Sequence, residues 1–304
     1  MVIEVKNLVK RYKDITAVND VSFSVKEGEI FGIIGPNGVG KTTTIECIEG
    51  LKKPDSGDIK VLGLEPLKER KKLYNMIGVQ LQETTYQNRI KVWEICELFS
   101  SLYDEVLPYE SLLKDFKLYD KKNSYISKLS GGQKQAVSIV LALIPDPKIV
   151  FLDEITTGLD PKARRNVWEM IKGLKAKGKT VFMTTHYMEE AENLCDRVCF
   201  MKAGKIKAIG TIDDLISRAN LETRVVFKAA SFDAKDLSTA VSAVERVEND
   251  GERYTVHVKS EKAVKEVVDY LTREKVEYRE LSIVKPNLED VYLDIMKEPL
   301  EEDR

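Results

Sequence analysis

The stretch GPNGVGKTT at residues 35–43 constrains this chain more than any other. It fits the pattern G-x-x-x-x-G-K-[ST], follows the apolar segment EIFGII, and opens KTTTIECIEGL, which reads as a helix ending at Gly50. Glycines at such a junction let the backbone curl so that several N–H groups point at one anion. The dipole of the following helix adds to the attraction. Gly35, Pro36, Asn37, Gly38, Val39 and Gly40 would form the cradle. Lys41 would reach the β- and γ-phosphates, the Thr42 hydroxyl would ligate Mg²⁺, and Thr43 would be a further nucleotide-binding residue. The expected ligand is a nucleoside triphosphate.

A second constellation lies in KIVFLDE (148–154). An apolar strand there delivers Asp153 and Glu154 side by side at its C-terminal end, where open α/β sheets collect their ligands. Asp153 suits the Mg²⁺ shell and Glu154 is placed to polarise a water against the γ-phosphate. The next strand, TVFMTTH, ends in His186, which falls in the same crevice by the same rule and suits a γ-phosphate or water-positioning role. The other histidine, His257, sits inside the expected strand RYTVHVK and reads as structural.

These strands belong to a larger alternation. IEVKNL, VSFSV and EIFGII open the chain, DSGDIKVLG follows the first helix, and KIVFLDE, TVFMTTH, RVCFMKAG and KIKAIG come after residue 145. Continuous apolar strands alternating with helices predict a parallel sheet covered on both faces. Residues 83–145, carrying VWEICELFSSLYD, YESLLKDFKL and GGQKQAVSIVLALI, read as a helical insert. After about residue 218 the order becomes β-α-β-β-α-β, with Asp250-Gly251 as a hairpin turn. That order suggests a small ferredoxin-like domain over 219–304.

Bulk properties exclude other classes. Lys and Arg number 48 against 50 Asp and Glu, which argues against a general nucleic-acid binder. No run reaches the roughly eighteen apolar residues of a membrane span, and the N-terminal MVIEVKNLVKRYKD has charges where a signal peptide needs its apolar region. Cys47, Cys96, Cys195 and Cys199 form no CxxC pair and read as reduced, buried thiols of a cytosolic protein.

LSGGQ at 129–133 then poses a problem of redundancy. Ser130 could cap the helix that follows, and its N–H groups with those of Gly131, Gly132 and Gln133 would make another anion site. Alone it would be an ordinary helix cap. Together with the phosphate loop and the acidic strand, it resembles the signature of ABC-type ATPases over roughly residues 1–215. By that resemblance Tyr12 in KRYKD stacks on adenine, and Gln82 in GVQLQE links the Mg²⁺ site to the helical insert. Gln80 competes for the second role, and Gln82 is preferred because Glu83 follows it. Asp160 in TTGLDP would cross between subunits, and His186 matches the switch histidine.

The fold implied is a phosphate-loop α/β ATPase core with N-terminal antiparallel β elements and a helical insert, plus the small C-terminal α+β domain. The function implied is Mg²⁺-dependent ATP hydrolysis in a head-to-tail homodimer, with LSGGQ of one chain completing the site of the other. A separate transmembrane permease would hold the chain at the cytoplasmic face of the membrane, with no membrane insertion of its own. The ending PNLEDVYLDIM is similar to the C-terminal extension of ATPases serving ABC-2-type exporters. The competing readings are an importer ATPase, a soluble non-transport ABC ATPase and a catalytically silent binder. The family usually has arginine where Ala136 stands and proline where Ile155 stands, which bears on turnover.

Overall fold

The computed structural model describes residues 1–80, 86–87, 89–230 and 232–297. The chain divides into two compact units, Met1–Ile212 and Asp213–Arg304.

In the first unit, β1 (Ile3–Tyr12) and β2 (Ile15–Val25) form an antiparallel pair, followed by β3 (Ile30–Ile34) and α1 (Lys41–Ile48). Next come β4 (Ser56–Val61), α2 (Arg70–Tyr74) and β5 (Ile77–Gln80). The helical insert supplies α3 (Val92–Ser100), α4 (Tyr109–Asp115) and α5 (Gly131–Leu143). The chain then alternates through β6 (Ile149–Asp153), α6 (Pro161–Ala176), β7 (Thr180–Thr185), α7 (Met188–Leu194), β8 (Arg197–Lys202) and β9 (Lys205–Gly210).

Among the described residues the strands form a three-stranded sheet, β2-β1-β4, and a six-stranded one, β5-β6-β7-β3-β8-β9. The first five strands of the larger sheet are parallel, and β3, β6 and β7 are buried at every position. Such continuous burial explains why their sequences are unbroken apolar runs. The two sheets meet through a row of aromatic rings. Phe23 of β2 lies 5.3 Å from Phe31 and 6.0 Å from Phe182, and Phe182 lies 5.6 Å from Phe151. Each buried phenylalanine contributes about 2–3 kcal/mol through apolar area removed from water.

KIKAIG departs from the parallel expectation. It forms β9, which runs antiparallel to β8 through a two-residue hairpin at Ala203 (φ 48°) and Gly204 (φ 78°). Two successive positive φ angles give the reversal that matches strand twist, and an Ala-Gly pair signals it weakly in sequence.

The second unit opens on α8 (Ile212–Ala219), so the division falls a few residues before the expected 218/219 boundary. It continues β10 (Thr223–Ala229), α9 (Ala234–Ala240), β11 (Val244–Asp250), β12 (Arg253–Val258), α10 (Glu261–Arg273), β13 (Tyr278–Val284) and α11 (Leu288–Lys297). The sheet order β11-β12-β10-β13 is antiparallel throughout, the ferredoxin-like arrangement. Gly251 at φ 67° makes the β11–β12 turn. His257 is buried on β12, its ring nitrogens 3.0 Å from Glu222 and 3.4 Å from Glu248.

One close approach fixes where β5 lies. A Cβ at Gly78 would stand 2.1 Å from the Ala142 carbonyl oxygen of α5, so only glycine permits this strand to lie against the helix. Gly78→Ala is therefore expected to cost about 3 kcal/mol by overpacking. Urea unfolding of the two proteins checks it, and equal midpoints would contradict the packing described.

Candidate functional site

Four neighbouring strands, β5, β6, β7 and β3, end at one edge of the parallel sheet, and the candidate residues come from those ends. The loop 35–40 leaves β3 and enters α1 with Gly38 at φ 84° and Gly40 at φ 103°. A side chain at Gly40 would place its Cβ 2.2 Å from the Ala17 carbonyl oxygen, so this position requires glycine twice over. Lys41 is buried at the helix start. Its Nζ donates to the carbonyls of Gly35 (2.8 Å) and Pro36 (3.0 Å) and stands 3.0 Å from Glu154 Oε1. The lysine is thus folded back into its own loop and paired with the acidic strand end.

Asp153 and Glu154 close β6 on the side facing β7. The Thr184 hydroxyl of β7 donates to the Asp153 carboxylate and accepts from the Glu154 N–H at 3.1 Å. Glu154 itself is in the left-handed region, φ 47°. That backbone state is uncommon for a glutamate and is held here by the bonds on either side. Burial pushes the Asp153 carboxyl above the usual range, while hydrogen bonds from Thr184 and Thr42 pull the other way. A desolvated carboxylate touching a helix-start hydroxyl gains from a nearby cation, so Thr42 and Asp153 fit a Mg²⁺ ion. Two protein oxygens are the usual complement when phosphates supply the remainder.

His186 follows β7 directly. Its Nδ1 lies 3.6 Å from Glu154 Oε1 and is buried without a hydrogen-bond partner among the described residues. The ring packs at 4.1 Å on Tyr187, which Arg164 covers at 4.3 Å. Tyr12 ends β1 partly exposed, with Lys10 and Lys52 at 5.4 and 5.2 Å from its ring. Lys52 is held protonated above its ordinary range by hydrogen bonds to Glu46 and Tyr12.

The LSGGQ residues are placed by α5. Ser130 caps it in a reciprocal box: Gln133 N–H donates to Ser130 Oγ (3.3 Å) and Ser130 N–H to Gln133 Oε1 (3.0 Å). Gly131 and Gly132 let α5 approach α6, because Cβ atoms there would stand 3.2 Å from Leu159 and 2.9 Å from Ala163. Asp160 caps α6, accepting from the Lys162 and Ala163 N–H groups at 3.0 Å each. Its carboxylate therefore has a structural duty in this chain. Ala136 and Ile155 are both buried.

Gln82 lies outside the described residues. Gln80 is the last residue of β5, 3% exposed, and accepts a hydrogen bond from the Asp153 N–H at 3.2 Å. Sequence reasoning missed that bond, and also Thr184, whose only signal was its place before His186 in TTH. It missed Glu49 too, a buried acid at the end of α1. Beside Gln80 opens an apolar groove of about 340 Å³, lined by Leu51, Tyr74, Val79, Phe99 and Tyr103 among others.

A phosphate loop, an acidic strand end and a strand-end histidine around one crevice define a nucleoside-triphosphate-binding α/β protein. Residues 18–157 match the ABC transporter family model, and 210–296 match the model for the C-terminal domain of DrrA1-3-like ATP-binding proteins. The Nod factor export ATP-binding protein I of Rhizobium meliloti (strain 1021) is 38% identical over 300 residues, covering 96% of this chain and 87% of that one. Its namesake from Burkholderia orbicola (strain AU 1054) is 42% identical over 223 residues, 70% of this chain and 72% of that one. A solved ATP-binding subunit of an ABC transporter superposes with TM-score 0.65 at 32% identity, covering 72% of this chain and 93% of that one. A dimeric bacterial ABC transporter cassette gives 0.61 at 29%, covering 69% and 98%. This chain belongs to the ABC transporter family, as an ATP-binding subunit.

Glu49 yields a pH prediction. Burial, then the negative charges of Asp153 and Glu46, push its carboxyl up from 4.5 to about 9. The folded protein keeps a proton that the unfolded chain sheds above about pH 4.5. Stability from this group is therefore full at acid pH and declines as pH climbs towards 9. Glu49→Gln removes the ionisation and should melt about 5 °C higher than the parent at pH 8, the gap closing near pH 5. Parallel melting curves across that range would refute the assignment.

Proposed function

We propose that the chain hydrolyses Mg²⁺·ATP as a head-to-tail homodimer and thereby drives a separate membrane permease. The observation that carries this is the Lys41–Glu154–His186 cluster. A lysine held by carbonyls and a carboxylate has a ready exchange: phosphate oxygens replace its present partners. Lys41 then binds the phosphate chain, and Glu154 is released from its counter-ion. Glu154 takes a proton from water, whose oxygen attacks the γ-phosphorus. The bond to the bridging oxygen breaks, giving ADP and phosphate. His186 Nδ1, unpartnered beside Glu154, supplies the further contact to the water or γ-phosphate. Mg²⁺, held by Thr42 and Asp153, would neutralise charge developing on the phosphate oxygens. Gln82 remains the proposed further contact to this centre, and Tyr12 the platform for adenine.

Ser130, Gly131, Gly132 and Gln133 sit at the N-terminus of α5, which packs on α3, α4, α6 and β5. An exposed helix start with no hydrolytic side chain of its own is half a site. The partner's phosphate loop supplies the other half, with Asp160 at the crossing loop. Among the described residues no helix is long and apolar enough to cross a membrane. The pore therefore comes from another polypeptide, whose cytoplasmic helix seats in the groove beside the helical insert. Relatives matched across 96% of this chain, C-terminal domain included, are named for export, which supports the outward direction.

Two variants test the reading. Glu154→Gln should lose hydrolysis by at least about a hundredfold and, with ATP, elute as a dimer in size-exclusion chromatography. Adding Ser130→Arg should return the protein to a monomer. Dimers that persist in the double variant would sink the head-to-tail model; a loss of hydrolysis much smaller than this in Glu154→Gln would remove the base assignment.

A further inference from the structure

Among the described residues, Ile77–Gln80 of β5 pair in parallel with Ile149–Leu152 of β6, which sets Gln80 beside the residue that precedes Asp153. The next N–H on β6 is that of Asp153, and it points to the β5 side, while the Glu154 N–H points the other way to Thr184. A buried backbone donor without an acceptor is costly. The acceptor here is a side chain: Gln80 Oε1, 3.2 Å from the Asp153 nitrogen. Asp153 is consequently braced on both flanks, by Gln80 through its backbone and by Thr184 through its carboxylate.

The Gln80 side chain also lines the groove formed with Leu51, Tyr74 and Tyr103. It is 3% exposed, so little solvent intervenes between the groove wall and the Asp153 backbone. We infer that Gln80 is a positioning residue for the metal-binding carboxylate, acting through the Asp153 backbone. The inference rests on the Mg²⁺ assignment of Asp153 made above. It concerns a residue distinct from Gln82: Gln80 touches the backbone of the ligand residue and acts through it.

The experiment reads metal and backbone directly, in the full-length Glu154→Gln protein so that no turnover intervenes. Mn²⁺·ATP is titrated by electron paramagnetic resonance, ATP with EDTA by fluorescence, and amide exchange is followed at Asp153. Gln80→Met fills the same volume without an acceptor. It should weaken Mn²⁺·ATP about tenfold, as loss of a ligand-orienting partner does, and leave metal-free ATP binding unchanged. Asp153 amide exchange should accelerate, and Gln80→Glu, which keeps an acceptor at the same reach, should restore protection. Unchanged Mn²⁺·ATP affinity in a folded Gln80→Met protein overturns the positioning role. So does a parallel loss of metal-free binding, which would mark general damage. Asp153→Ala is the control for the underlying reading: if it keeps the metal-dependent gain in affinity, the Mg²⁺ assignment fails first.

Discussion

The ion pair between Lys41 and Glu154 is the interaction on which the site depends. The charges stand 3.0 Å apart, and their side chains are 4% and 5% exposed. Removing one partner of such a pair strands a charge in a poor solvent and costs about 3–5 kcal/mol. Exchanging one anion for another costs far less. In the function proposed, a phosphate oxygen takes the place of the carboxylate beside Lys41. The pair's geometry follows from the sheet: β6 pairs with β7, and β7 with β3, in registers that keep Asp153 beside Thr184 and Ile34 beside Thr185. Those level strand ends bring a residue near position 41 to one at position 154.

LSGGQ has a different physical basis. Its glycines are explained inside the chain by the close approach of α5 to α6 at Leu159 and Ala163. Its serine and glutamine are explained by the capping box. Structural demands and the proposed ligand contact thus coincide in Ser130, Gly131, Gly132 and Gln133. A motif that packs two helices and leaves a helix start exposed is already shaped to receive an anion from outside the chain. The intramolecular reasons for its composition and the intermolecular use proposed for it do not compete.

Much of this was legible in the sequence, because period and punctuation report burial directly. Buried strands such as FGII and IVFLD read as continuous apolar runs, and the phosphate loop is recognisable because Gly40 has no alternative. The β-α-β-β-α-β order of the second unit also survived translation into structure. What sequence could not show were contacts that depend on where a strand stops. The bond from Asp153 to Gln80 exists because β5 brings residue 80 level with the end of β6, and the Thr184 bonds exist because β7 runs level with β6. Glu49 was hidden for a related reason. An acid at a helix end normally reaches solvent, and only the packing around α1 closes it off.

The two departures from the family pattern fit this picture of restraint by packing. Proline after the catalytic glutamate would lock the next φ through its ring and restrict the glutamate itself. Here Ile155 is 1% exposed, and the Thr157 N–H donates to the Glu154 carbonyl at 3.1 Å, closing a turn around the strained residue. The restraint is supplied by an apolar side chain and a hydrogen bond in place of a ring. Ala136 likewise lies on a fully buried stretch of α5, where a small apolar side chain asks for no charge partner. Both positions stand behind the groups that meet phosphate and water. The stiffness of the loop after Glu154 is thereby tied to the integrity of the core that holds Ile155.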